Sequence, residues 1–272
     1  MVRSKPAPTN PRSLPQTYQR WLYEDYAHLW LAQSEATRAE YRTAGSRFHL
    51  TGFQYWMKIM LLTLPDIAGM WYLDHQSAGF CLDSGPNLNH AQVFGCINTP
   101  GVIDGAQSLD NVNDYLGLTD SPSLRITGDI TIEAIIYIKG VRSATWEPHI
   151  VAKRNAVNTD YSFYMNSATL QLQFFDGVNF TRGTANLALN TWYHVCVRAL
   201  SGIVSFFING INDPVSVGGA ANITPSPSNG AIGMYLTDIR YGLYGDIDHV
   251  IIYNRALDTH TITRHGERRH PQ

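Results

Sequence analysis

The acid–base chemistry open to this chain is narrow. Between Asp66 and Thr263 only two glutamates occur, Glu133 and Glu147. Hydrolysis of a glycosidic bond needs two carboxyl groups flanking it, about 5–5.5 Å apart for retention of configuration or 6.5–9.5 Å for inversion. Too many residues separate these two for simple alternation to put them on one strand face. Glu133, in Thr-Ile-Glu-Ala, reads instead as an exposed strand carboxylate. Nucleophilic catalysis finds no Gly-x-Ser-x-Gly among the residues, and the ten histidines are scattered. No glycine-rich phosphate loop and no cysteine–histidine zinc cluster occurs. The expectation is a chain with no catalytic residues, not an enzyme.

The elements that would position any site are strands. In Asn190 to Asn212, Tyr193, Val195, Val197 and Ala199 alternate with Trp192, His194, Cys196 and Arg198. That period of two predicts a strand with two different faces, on which His194 is structural. Leu200-Ser201-Gly202 turns the chain, and Ile203 to Ile208 runs to Asn209-Gly210, a dipeptide suited to tight hairpins. Ile130, Ile132, Ala134, Ile136 and Ile138 predict a core strand; Tyr161 to Met165, Leu170 to Phe174, Met234 to Tyr241 and Asp248 to Tyr253 supply more. Many short strands between Gly, Asn, Asp and Pro turns favour a sandwich. The biased segment Ala220 to Gly230 reads as a mobile loop without chemistry.

Ahead of the strands, residues 1–15 hold Pro6, Pro8, Pro11 and Pro15 with Arg3, Lys5 and Arg12, an extended arm. Tyr18, Leu22, Tyr26 and Leu29 share one helical face within 17–40, with Trp21 and Trp30 beside it. A second helix follows, with Phe53, Trp56, Met57, Met60, Leu61 and Leu64 on one side and Pro65 closing it. Its apolar side either packs against the rest of the chain or docks on another protein. Trp21, Trp30, Phe53 and Trp56 are the candidate partner-binding residues, because aromatic anchors dominate interface energetics.

Composition narrows the partners. The chain has 272 residues, a formal net charge of −2, 44% hydrophobic and 15% charged residues. Nucleic acid is not expected, since polyanion binders carry a basic stripe and a high isoelectric point. Met1 to Gln16 lacks the apolar core of a signal peptide. The longest apolar run, Tyr55 to Leu64, is too short to span a bilayer and contains Lys58, so membrane insertion is not expected. Cys81, Cys96 and Cys196 read as buried free thiols. Asn179-Phe180-Thr181 and Asn222-Ile223-Thr224 match glycosylation acceptors.

Trp-Tyr-His-Val at 192–195, followed by a strand ending in Asn209-Gly210, resembles the concanavalin A-like lectin/glucanase superfamily, and within it the laminin G-like domains. Three further stretches fall in the expected order: Gly69 to Asp74 before Asp83 to Asn89, Ser108 to Tyr115, and Ile247 to Leu257. The resemblance implies a mainly β, antiparallel jelly-roll sandwich over 66–263, preceded by an attachment segment over 1–65 (the arm and two short helices) and followed by a tail over 264–272. The Glu-x-Asp-x-x-Glu of the glucanase relatives does not occur. Calcium is implied where an early loop meets the last strand, at Asp83, Asn87, Asn89 and Asp248; Pro86 and Ala91 replace glycines common in that loop, and His249 stands where a second acid is usual. The alternative is a metal-free loop held by side-chain hydrogen bonds to backbone. Because such jelly rolls occur in bacteriophage particles, the function expected is a multi-copy virion protein. It would be made in the host cytoplasm and serve as a capsid decoration or a head or tail appendage. Residues 1–64 would attach it to other virion proteins, and the jelly roll would be free to meet host-surface glycans. A free carbohydrate-binding module is the alternative, and a glycanase a more distant one.

Overall fold

The computed structural model describes residues 27, 30–31, 33–62, 66–143, 145–154, 159–236 and 238–269. The chain divides into two compact units, Met1–Leu64 and Pro65–Gln272. Trp21 and the 1–15 arm lie outside the described residues.

In the first unit, residues 27, 30 and 31 are helical and the chain then breaks at Ser34. The expected 17–40 helix is interrupted there because the Ser34 hydroxyl accepts from the Thr37 amide at 3.1 Å and caps a new helix, Glu35–Ser46. The helix Gly52–Leu62 follows. Its start is fixed reciprocally, the Thr51 amide donating to the Gln54 side chain and the Gln54 amide to the Thr51 hydroxyl.

The second unit is an antiparallel two-sheet sandwich. Among the described residues, one sheet has eight strands. Seven lie in the order Ile211–Asp213, Ile203–Ile208, Trp192–Leu200, Ile130–Gly140, Tyr244–Tyr253, Gly105–Asp110 and Ile97–Pro100; Ile67–Trp71 also pairs with Tyr244–Tyr253. The other has nine: Val215–Val217, Phe180–Gly183, Leu172–Phe175, Thr159–Met165, His149–Arg154, Gly230–Ile232, Tyr115–Leu118, Ala91–Phe94 and Phe80–Cys81. The inward sets are those the alternation predicts, with Ile132, Ala134, Ile136, Val195 and Val197 meeting Tyr161, Phe163, Leu172 and Phe174 in one core.

Two stretches depart from expectation. Met234 to Tyr241 is not a strand. Gly233, with φ +87°, turns the chain out of the sheet, and the Leu243 amide donates to the Gly233 carbonyl to close a loop. That loop contains the short helix Ile239–Tyr241, capped by Asp238. At the C-terminus a helix, Thr259–Arg269, runs across the boundary expected at 263. It lies on the outer face of the eight-stranded sheet, where Thr263 donates to the Gly210 carbonyl. All three cysteines are buried thiols outside any disulfide; Cys81 and Cys96 belong to the core, while Cys196 lies beside Glu133 on the sheet's outer face.

Candidate functional site on the nine-stranded sheet

The residues singled out for catalysis are placed far from any joint role. Glu133 is not exposed but 1% accessible, a correction to the sequence reading. It projects from the outer face of the eight-stranded sheet, where the C-terminal helix brings His265 Nδ1 to 2.9 and 3.1 Å from its two oxygens. His194 Nε2 stands 3.5 Å away, and the Tyr253 hydroxyl donates at 3.4 Å. A carboxylate held this way fastens a helix to a sheet. Glu147 belongs instead to the outer side of the other sheet, so the two glutamates serve opposite faces of the sandwich.

The calcium set does not form one oxygen cage. Both Asp83 oxygens accept backbone amides, from Met70 and Gly85 at 2.9 and 2.7 Å and from Asn89 at 2.7 Å. The Asn87 and Asn89 amides donate to the carbonyls of Ile67 and Ala68, both at 2.7 Å. Asp248 accepts from the Val102 and Ile103 amides at 2.9 and 3.0 Å, with His249 Nδ1 at 2.7 Å on its other oxygen. Calcium requires six to eight oxygens free to turn toward it. Asp83 and Asp248 accept backbone amides while Asn87 and Asn89 spend their side-chain nitrogens on backbone carbonyls, and among the described residues no three His, Cys, Asp or Glu side chains are placed to hold a metal ion.

Of the partner-binding residues, Trp30 packs on Phe53 and Trp56 at ring distances of 6.1 and 5.9 Å, with Tyr41 4.9 Å from Trp56. They are brought together, but as the helical unit's own cluster, with Trp56 buried. Among the described residues of that unit the exposed large apolar side chains are Leu31 and Phe48, the latter stacked on Tyr55 at 5.6 Å.

Chemistry collects instead on the outer face of the nine-stranded sheet. Antiparallel register aligns Arg182, Gln173, Tyr164 and His149 in a row across four strands. With the Gln173 amide oxygen turned to Arg182, it accepts two guanidinium hydrogen bonds at 2.7 and 2.8 Å, while its nitrogen donates to Glu147 at 3.1 Å. His149 stacks flat on Tyr164 at 4.7 Å, and its Nδ1 faces the Glu147 carbonyl at 2.9 Å. The 233–242 loop comes back over this row and sets Tyr235 and Tyr241 5.8 and 5.9 Å from His149. The neighbouring row runs Phe180, Phe175, Ser162, Ala152, Ala231, Gly117 and Gln92, its small residues making room for the loop. Beyond them Gln92, Phe94, Tyr115, Asn229 and Leu236 line an open depression, with Phe94 and Tyr115 stacked at 4.4 Å.

The electrostatics follow from burial. Burial pulls the His149 imidazole down to about 4, against the pull of the Glu147 and Tyr241 backbone, so it is neutral near pH 7. Burial pushes the Glu147 carboxyl up, opposed by Arg182 and Arg154. Tyr164 is pushed up by burial and then by Glu147. Gln173, Tyr164 and His149 are buried beneath the loop, so what this face offers a polyhydroxylated ligand is its half-buried rim, the Phe175 and Tyr241 rings and the Arg154 and Arg182 guanidinium groups.

A laminin G-like family model, that of the concanavalin A-like lectin/glucanases superfamily, matches residues 110–263, more than half the chain. The chain belongs to this superfamily. No curated protein sequence matches it significantly. Among solved structures, domain 4 of AbnA, a GH43 extracellular arabinanase from Geobacillus stearothermophilus solved in complex with arabinotriose, is similar with a TM-score of 0.58 at 15% identity; the match covers 74% of this chain and 98% of that one. The binding domain of Paraclostridial Mosquitocidal Protein 1 matches at 0.61 and 13% identity, over 75% of this chain and 52% of that one. Trypanosoma rangeli sialidase matches at 0.59 and 13% identity, over 76% of this chain and 34% of the sialidase. At such identities the likeness is one of fold. Sequence reasoning missed this superfamily member's aromatic face, because its row joins residues from four strands with no local pattern.

Proposed function

We propose that the sandwich is a non-catalytic carbohydrate-binding module whose ligand lies on the outer face of the nine-stranded sheet. The observation that carries this is the half-buried rim of that face, where Phe175, Tyr241, Arg154 and Arg182 stand around the buried row Gln173–Tyr164–His149, on a side of the sandwich the C-terminal helix does not cover. Aromatic planes beside fixed polar forks suit sugar rings, and the second carboxylate near Glu147, that of Asp238, is taken up by Arg240. The similar arabinanase domain was solved with an oligosaccharide, which supports the reading without naming this chain's ligand. The test is calorimetric titration with an oligosaccharide panel that includes arabinotriose, alongside a reducing-sugar assay. Binding that weakens roughly tenfold in Phe175→Ala or Tyr241→Ala, with no sugar released, is expected. Turnover abolished by Glu147→Gln would overturn the non-catalytic part.

The setting we propose is a virion, bacteriophage included, with the Met1–Leu64 unit as the attachment element. Its support is that this unit is compact in itself and exposes Leu31 and Phe48. Deleting residues 1–64 should release the protein from particles; full occupancy of the truncated protein would put attachment on the sandwich.

A further inference from the structure

The two arginines of the proposed face differ in what they touch. Arg182 spends its fork on Gln173. Arg154, at the end of its strand, lies with its guanidinium carbon 4.3 Å from the Tyr235 ring centroid and 5.4 Å from that of Phe175. These contacts hold the planar group in place through its π faces and leave its N–H edge unspent. Among the described residues that guanidinium makes no hydrogen bond or ion pair, and its Nε is buried without a partner. Glu147 acts on it through space without an ion pair. One strand away the Ser162 hydroxyl, fully buried on the same outer row beside Phe175, is also without a hydrogen-bond partner.

A half-buried cation with unmade hydrogen bonds is costly, and an anion that reached it would recover that cost. The surroundings carry the same sign. Arg142 and Arg240 flank Trp146 at 5.5 and 5.7 Å, so four arginines here outnumber the two carboxylates Glu147 and Asp238, in a chain whose net charge is −2. A planar fork fixed on aromatic faces matches a carboxylate, which accepts two parallel N–H bonds.

We propose that Arg154 is the receptor for a carboxylate of the bound sugar, so that the ligand is an acidic, uronate-bearing glycan. This rests on the reading of the face as a glycan site. The full chain is titrated with oligogalacturonate and with the same oligomer after carboxyl reduction, which removes the charge and keeps the ring and linkage. The acidic oligomer binds at least about tenfold more tightly, and the difference shrinks as salt is added. Arg154→Met removes the preference, so that the acidic and the reduced oligomer then bind alike, Arg154→Lys restores only part of it, and Arg182→Met leaves the preference standing. Equal binding of the two oligomers by the wild type, a result independent of any variant's folding, overturns the inference while leaving the glycan site intact. Dextran sulfate matching the acidic oligomer would mean that charge and not carboxylate is read, and would overturn it too. Binding of neither oligomer overturns the glycan reading and this inference together.

Discussion

The two outer faces of the sandwich handle buried polar groups in opposite ways. On the eight-stranded sheet, Glu133 is enclosed with His194, His265 and Tyr253, and every oxygen it has meets a partner from the same chain. On the nine-stranded sheet, Arg154 is stacked and enclosed but its N–H edge is left unmatched. Satisfied polar clusters rigidify a fold, whereas unsatisfied ones cost stability and are kept where something else is to bind. On the function proposed above, the Glu133 cluster is completed by the chain's own groups, whereas Arg154 is the group left for a ligand.

The largest effect that would test this contrast lies at Glu133. Glu133→Ala leaves two histidines and a tyrosine facing a void, and should cost about 3–5 kcal/mol in urea unfolding. A loss below about 1 kcal/mol would mean that the cluster does not hold the helix. Next comes pH, which should act on the two sheets in opposite directions. Burial raises Asp74, beside Asp248 and Asp104 at the end of the eight-stranded sheet, to about 7. A raised carboxyl favours the folded state fully below its unfolded value near 4, and that contribution is lost as pH climbs to 7. After allowance for solvent screening this is about 2 kcal/mol, and Asp74→Asn should remove it. His149, lowered to about 4, contributes above its unfolded value of 6.5 and loses that contribution as pH falls toward 4, by at most about 3 kcal/mol. Melting curves from pH 4 to 8 on wild type, Asp74→Asn and His149→Gln would separate the two; identical profiles for all three would remove both groups from the account.

How much of this could be read from the chain beforehand follows from which interactions leave a local trace. The inward residues of Ile130–Gly140 and Trp192–Leu200 alternate against one core, so their period of two is legible without knowing any partner. The outer residues take their meaning from lateral register. Arg182, Gln173, Tyr164 and His149 become neighbours only once strands far apart in sequence are paired, and the alternation of any one strand says nothing of this. Glu133 misled for the same reason: its strand phase gives an outward direction, but the helix that covers it begins at Thr259. At Asp83, Asn87, Asn89 and Asp248 the residue types match the family motif, but which backbone groups they engage, amides for the aspartates and carbonyls for the asparagine nitrogens, is not legible from residue type.

Smaller effects sharpen the contrast further. Arg154→Met should change stability by less than about 1 kcal/mol, or raise it, because it deletes an unmatched cation. A loss as large as that at Glu133 would show the arginine to be structural. Smallest of all is the response to calcium. Melting in calcium and in chelator should coincide, and a rise in Tm that vanished in Asp248→Ala would restore the metal.

The buried thiols give the molecule two built-in clocks. Cys81 and Cys96 lie in the central core, where burial pushes both up to about 12 and so keeps them as unreactive thiols. Cys196 lies outside that core, between Glu133 and Phe207 on the face the C-terminal helix covers. A thiol reagent can then reach Cys196 by lifting of the helix alone, while the other two wait for the sandwich to open. Labelling one site ahead of two, followed by mass spectrometry, would time the undocking of the helix separately from global unfolding, with no probe introduced into the chain.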